Sequence, residues 1–179
     1  MDVKVLNHTV VRKGKVFTTI VDDIEYPSGT KSIREIAQHP GGAVALAVFP
    51  DDKIILIKQH RYPIDKYIWE LPAGKLEPGE PPLECAKREL GEETGYTASD
   101  WKILTTTYSS PGFCDELLHI YLATNLTAIP GGRKLEEGER TMTMEILPLS
   151  EAISMIDRGE IVDAKSIIGI LLGQRMIHR

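Results

Sequence analysis

Three glutamates, Glu89, Glu92 and Glu93, stand at i, i+3 and i+4 in the segment CAKRELGEETGY, residues 85–96. That spacing predicts one face of a helix, where like charges repel by about 0.2–0.5 kcal/mol per pair. Gly95 follows at once, so two of these carboxylates fall near a helix C-terminus, where the dipole disfavours anions. A solvated acidic face is the ordinary meaning of such a run. A cluster of hard oxygen donors in so unfavourable a place instead suits Mg²⁺ or Mn²⁺, cations that also bridge substrate phosphates. A divalent ion turns the repulsion into binding energy.

The glutamates belong to a longer pattern, GKLEPGEPPLECAKRELGEETGY, residues 74–96. Gly74, Glu80, Arg88, Glu89, Leu90, Glu92, Glu93, Gly95 and Tyr96 satisfy Gly-x5-Glu-x7-Arg-Glu-U-x-Glu-Glu-x-Gly-U, with U apolar or aromatic. A chance match at one start is on the order of 10⁻¹⁰ for ordinary residue usage. Arg88 is placed to hold a neighbouring carboxylate or the preceding loop by a charge-assisted hydrogen bond. Gly91, inside the helix, costs up to about 1 kcal/mol relative to Ala, and the sequence offers no reason for it.

The pattern resembles the box of the Nudix hydrolase family at every fixed position. The resemblance implies hydrolysis of a nucleoside diphosphate linked to another group, with the box supplying the metal site. REIAQHPGGAVALAV, KQHRYP, WELPAGKLEPGE, SSPGFCDELLHIYLA and KLEEGER extend the likeness to the ADP-ribose pyrophosphatase branch, from about Val16 to Gln174. It implies attack of a metal-activated water on the diphosphate of ADP-ribose, giving AMP and ribose 5-phosphate. It makes the Ala73 carbonyl, Glu89, Glu92 and Glu93 the ligands of two or more Mg²⁺ or Mn²⁺ ions, with Glu92 and Arg88 also in the catalytic set.

The branch takes its general base from the acidic loop before the last strand, so Glu137 is the first candidate and Glu139 the second. RTMTME follows them where the branch has an apolar–acidic alternation, which leaves the loop's register open. The resemblance puts Arg34 and Arg61 on adenine or phosphate, a task that suits a guanidinium. It also puts Glu116, Gly112 and Glu70 on the substrate side, and implies a homodimer in which residues 1–40 form the dimerising appendage. Other hydrolase substrates are conceivable, among them a nucleoside triphosphate, NADH and GDP-mannose. A non-catalytic ADP-ribose-binding regulator would be expected to lack box glutamates, and all are present.

These residues need a scaffold. Turn signals at RKGK and YPSGTK divide residues 3–36 into about three antiparallel strands. Two apolar strands flank Pro50–Asp52, and a strand end at WELPAG precedes a Gly/Pro-rich loop. LECAKRELGEET reads as a helix with Leu83, Ala86 and Leu90 as its apolar stripe. Strands follow at Trp101–Tyr108, Leu117–Asn125 and Thr141–Pro148. A helix N-capped by Ser150 and another over residues 163–179 close the chain. The order is α+β without regular βαβ alternation. With the resemblance it predicts an α/β/α sandwich on a mixed sheet, residues 41–179, preceded by a small antiparallel sheet.

The 179 residues carry a net charge of −5, with 42% hydrophobic and 26% charged residues. No basic field exists to attract nucleic acid. Two cysteines, Cys85 and Cys114, suggest no disulfide framework. No apolar run reaches membrane-spanning length, so the expectation is a cytoplasmic protein acting on a small-molecule nucleotide sugar.

Overall fold

The computed structural model describes residues 2–177; the end of the last predicted helix, with His178, lies outside them. The described chain divides into two compact units. One comprises the chain up to Gly41 with Tyr108–Leu117, the other Gly42–Thr107 with the chain from Leu118 onward.

The first unit is a three-stranded antiparallel sheet, β1 (Lys4–Lys13), β2 (Thr18–Glu25) and β3 (Lys31–Gln38), in that spatial order. Its turns fall at the RKGK and YPSGTK signals. The loop 109–116 belongs with this sheet: the Ala37 N–H donates to the Phe113 carbonyl at 2.8 Å and the Asp115 N–H to the Ala37 carbonyl at 3.3 Å.

In the second unit, β4 (Gly42–Ala47) is buried on both faces and runs parallel to β9 (Leu117–Ala128). It is flanked by β7 (Ala73–Lys75) on its other edge, and β8 (Tyr96–Tyr108) completes the mixed sheet β7-β4-β9-β8. A second sheet, β10-β5-β6, joins Thr143–Pro148, Lys53–Arg61 and Lys66–Glu70.

Side chains alternate faces along a strand, and β4 uses this to divide its neighbours. Ala43, Ala45 and Ala47 pack in clusters with Cys85, Ala86 and Leu90 of helix α1 (Pro82–Thr94). Val44 and Leu46 face a larger core containing Ala152 and Met155 of α2 (Leu149–Asp157) and Ile170 of α3 (Ala164–Ile177). Small residues on one face and branched ones on the other thus give the expected helix–sheet–helix layering. Each fully buried Leu or Ile contributes about 1.5–3 kcal/mol.

The start of α2 departs from expectation. Pro148, not Ser150, occupies the N-cap, and no side chain caps the helix. The Leu149 N–H instead donates to the Asp52 carbonyl at 2.9 Å, so a tertiary acceptor replaces the serine hydroxyl. Gly91 also finds its reason here. A Cβ at this position would lie 3.2 Å from Cδ1 of Ile129, so the missing side chain lets the segment after β9 lie against α1.

Candidate active site

Helix α1 ends as the sequence implied, with Gly95 left-handed at φ 74° and its N–H on the Gly91 carbonyl. Glu89 and Glu93 are 9% and 2% exposed and point toward β7, while Glu92 is more open. The Ala73 N–H donates to Glu93 Oε2 at 2.9 Å. A Cβ on Gly74 would lie 1.8 Å from Glu89 Oε1, so the glycine is the floor on which that carboxylate rests.

Arg88 binds the box together. Its Nε and Nη2 grip Glu80 at 2.9 and 3.0 Å, and Nη1 reaches Glu89 at 2.6 Å and Glu92 at 3.2 Å. Glu80 in turn accepts the Glu77 N–H at 3.0 Å, which fixes the loop before the helix. The Arg88 hydrogen bonds hold Glu80 down to about 2, and the guanidinium is itself raised by Glu80. Arg88 is therefore an organiser whose donors are already committed.

The glutamates pull the other way. Burial pushes Glu93 up to about 8, against its bond from Ala73 and with help from the charges of Glu89 and Glu139. Burial also raises Glu89, against the pull of Arg88. These are anions placed where anions are costly.

They open onto one pocket of about 560 Å³, within the size range of nucleotide-scale ligand sites. Six glutamates (Glu77, Glu89, Glu92, Glu93, Glu136, Glu139) and three cations (Arg61, Lys75, Arg88) line it, with Ala73 and Gln59. Gln59 was not singled out from the sequence; its signal was only its place two residues before Arg61 in KQHRYP.

Arg61 enters the pocket from the end of β5, braced by Glu70. Its Nε and Nη2 each lie 2.6 Å from one Glu70 oxygen, and Lys165 holds the same carboxylate. Burial raises Glu70, but the Arg61 bonds and the Lys165 charge outweigh it and keep the carboxyl below its ordinary value. Glu70 is 0% exposed and does not line the pocket, whereas Arg61, which it braces, does.

The acidic loop sends its two candidates different ways. Glu139 lines the pocket, and its Oε2 accepts the Glu136 N–H at 2.9 Å. Glu137, the sequence's first candidate, is turned out to solvent, 2.8 Å from Arg140. A single 3₁₀ turn over Glu137–Glu139 sends the two side chains different ways.

The remaining candidates lie in the other unit. Arg34 donates to the Ile33 carbonyl at 2.8 Å and to Tyr26, over whose ring it also lies. Glu116 is 3.4 Å from His39 Nδ1. Gly112 lies in the turn closed by the Phe113 N–H on Ser110, with open space around it.

The NUDIX domain model matches residues 39–167. The chain belongs to the NUDIX family. It is 43% identical over 95% of its length to the ADP-ribose pyrophosphatase of Bacillus subtilis (strain 168), covering 91% of that protein. It is 40% identical over 93% of its length to the methanol dehydrogenase activator of Bacillus methanolicus, covering 90% of it. The fold is similar to the crystal structure of an ADP compounds hydrolase, TM-score 0.83 at 23% identity, over 99% of this chain and 95% of the other. The NUDIX chain is accordingly a hydrolase of this family.

Family membership implies a divalent cation, and the donor set fits one. Carboxylates outnumber cations two to one in the pocket, and a bare diphosphate would be repelled. Among the described residues no three acidic, histidine or cysteine side chains are grouped closely enough to hold an ion. Glu89 and Glu92 lean on Arg88, and Glu93 on the Ala73 amide. No helix among the described residues is long and apolar enough to cross a membrane.

Proposed function

We propose that the protein hydrolyses the diphosphate of ADP-ribose, or a related ADP-sugar, to AMP and ribose 5-phosphate in the presence of Mg²⁺ or Mn²⁺. The observation that carries this reading is that Arg61, Glu139 and the glutamates Glu89, Glu92 and Glu93 open onto one pocket. The ADP-ribose pyrophosphatase at 43% identity supports the substrate.

Glu89, Glu93, Glu92 and the Ala73 carbonyl would hold two or more cations. When bound, such ions neutralise the diphosphate and acidify a water molecule. The protein's own groups do the rest. Arg61, held in orientation by Glu70, offers a guanidinium to diphosphate oxygens. Glu139 accepts a proton from the water that attacks one phosphorus in line. A water oxygen–phosphorus bond forms, the bridging oxygen–phosphorus bond breaks, and two monophosphates leave. Arg88 and Glu80 keep the helix and its loop in register throughout.

Arg34 and Glu116 contribute to adenine and terminal-ribose recognition in this reading, with Gly112 in the loop that carries Glu116. The protein acts as a cytoplasmic homodimer with residues 1–40 as the dimerising appendage. In support, every described position of β1 is exposed, with Val5, Leu6, Val10 and Val11 among them.

The test is a rate panel of ADP-ribose, other ADP-sugars, NADH, GDP-mannose and nucleoside triphosphates in Mg²⁺. ADP-ribose turned over fastest, with AMP as product, is expected; faster turnover of triphosphates would overturn the assignment. A second role is favoured by the relative at 40% identity, activation of a methanol dehydrogenase. Its test is the dehydrogenase rate with and without this protein.

A further inference from the structure

The last turn of α1 is held by a residue that neither the box nor the pocket includes. The Arg133 Nε donates to the Glu93 carbonyl at 2.6 Å, and its Nη1 donates to the Met142 carbonyl at 3.1 Å. Residues 133 and 142 bracket the loop that carries Glu139, so one guanidinium ties both ends of that loop to the main chain of a box glutamate. Two backbone amides reinforce the seam: Lys134 N–H to the Glu92 carbonyl at 2.8 Å and Ile129 N–H to the Gly95 carbonyl at 2.7 Å. The seam also answers the helix-end problem, because a cation and two donors meet carbonyls that otherwise leave the C-terminus negative.

Arg133 is not there as a simple stabiliser. Among the described residues it makes no ion pair, and its Nη2 is buried with no hydrogen-bond partner. An unpaired buried donor is a cost that a shorter or apolar side chain would avoid. What arginine alone supplies is a rigid fork able to span two fixed acceptors. Among the described residues, the hydrogen bonds to Glu139 are local, from Glu136 and from the Met142 N–H on its carbonyl at 2.7 Å.

We propose that Arg133 is a positioning residue for hydrolysis, fixing Glu139 over the box glutamates by clamping both ends of the acidic loop to the C-terminal turn of α1. The proposal rests on Glu139 being the base. Misplacing a catalytic group by about 1 Å can cost up to 10²-fold.

The experiment compares Arg133→Ala, Arg133→Lys, Glu139→Gln and the double variant Arg133→Ala/Glu139→Gln, with ADP-ribose and Mg²⁺. It reads kcat, KM, calorimetric Mn²⁺ affinity and thermal unfolding. Arg133→Ala should lower kcat about 10- to 100-fold, with KM and Mn²⁺ affinity within about threefold. Arg133→Lys, lacking the fork, should recover little. The double variant should be no slower than Glu139→Gln, since both changes act through one carboxylate. An unchanged kcat in Arg133→Ala, a parallel loss of Mn²⁺ affinity, or multiplied losses in the double variant would overturn the proposal. Should Arg133→Ala not fold, Arg133→Lys decides, and wild-type kcat there overturns it. Wild-type kcat in Glu139→Gln instead removes the base assignment itself, a failure distinct from additivity beside an impaired Glu139→Gln.

Discussion

The carboxylate of Glu89 occupies the space that a side chain on Gly74 would fill, a Cβ there falling 1.8 Å from Oε1 and 2.0 Å from Cδ. The strand glycine and the helix glutamate are thus two halves of one feature, a buried carboxylate resting against a bare backbone. Gly74→Ala should push Glu89 off its seat while leaving the core intact, because the group displaced is the end of a flexible side chain. We expect kcat/KM to fall by about 10²-fold, in the range of a lost transition-state contact, with thermal unfolding in EDTA little altered. Steady-state kinetics with a melting curve check this.

Glu139 faces the pocket and Glu137 faces Arg140. Glu139→Gln should therefore lower kcat by about 10²–10⁴-fold, the usual weight of a general base, with little change in cation affinity. Glu137→Gln should remain near wild type, since its ion pair is exposed and worth about 0–1 kcal/mol. The reverse ranking in kcat would return the base to Glu137.

The three helix glutamates of the box were legible because helical spacing is a local property, and so was the helix end at Gly95. What was not legible depends on contacts between distant segments or on one turn's geometry. Gly91 makes sense only beside Ile129, Gly74 only beneath Glu89, and Glu70 only between Arg61 and Lys165, the latter 95 residues away. Glu137 and Glu139 have the same chemistry and differ only in which way a 3₁₀ turn sends them. Arg133 carried no signal in the sequence, because its acceptors are carbonyls, which no side-chain pattern reveals.

Glu93 gives a pH dependence with a definite sign. Folding raises its carboxyl from 4.5 to about 8, so between those values the folded chain holds a proton that the unfolded chain has released. Its contribution to stability is full below pH 4.5 and is lost as pH rises toward 8, at up to about 1.4 kcal/mol per pH unit. In EDTA, wild type should lose stability relative to Glu93→Gln between pH 5.5 and 7.5, as followed by urea unfolding at each pH. Cation binding at pH 7 should release a proton, detectable as a buffer-dependent binding enthalpy.

The bond between Arg61 and Glu70 is a further handle. Glu70→Gln leaves Lys165 and Arg61 beside a neutral amide, and breaking such a buried pair costs about 3–5 kcal/mol. Arg61 is partly exposed, so the lower end, about 3 kcal/mol, is expected in urea midpoints. With its brace gone, Arg61 should also raise KM for ADP-ribose more than it lowers kcat.

The most direct test is calorimetric titration of Mg²⁺ or Mn²⁺ into wild type and Glu93→Gln, each with a non-hydrolysable ADP-ribose analogue. Uptake of divalent ions by wild type, weakened at least about tenfold in the variant, is the predicted result. No uptake, or uptake that ignores the loss of Glu93, would contradict a site in which cations lie between buried carboxylates and a diphosphate.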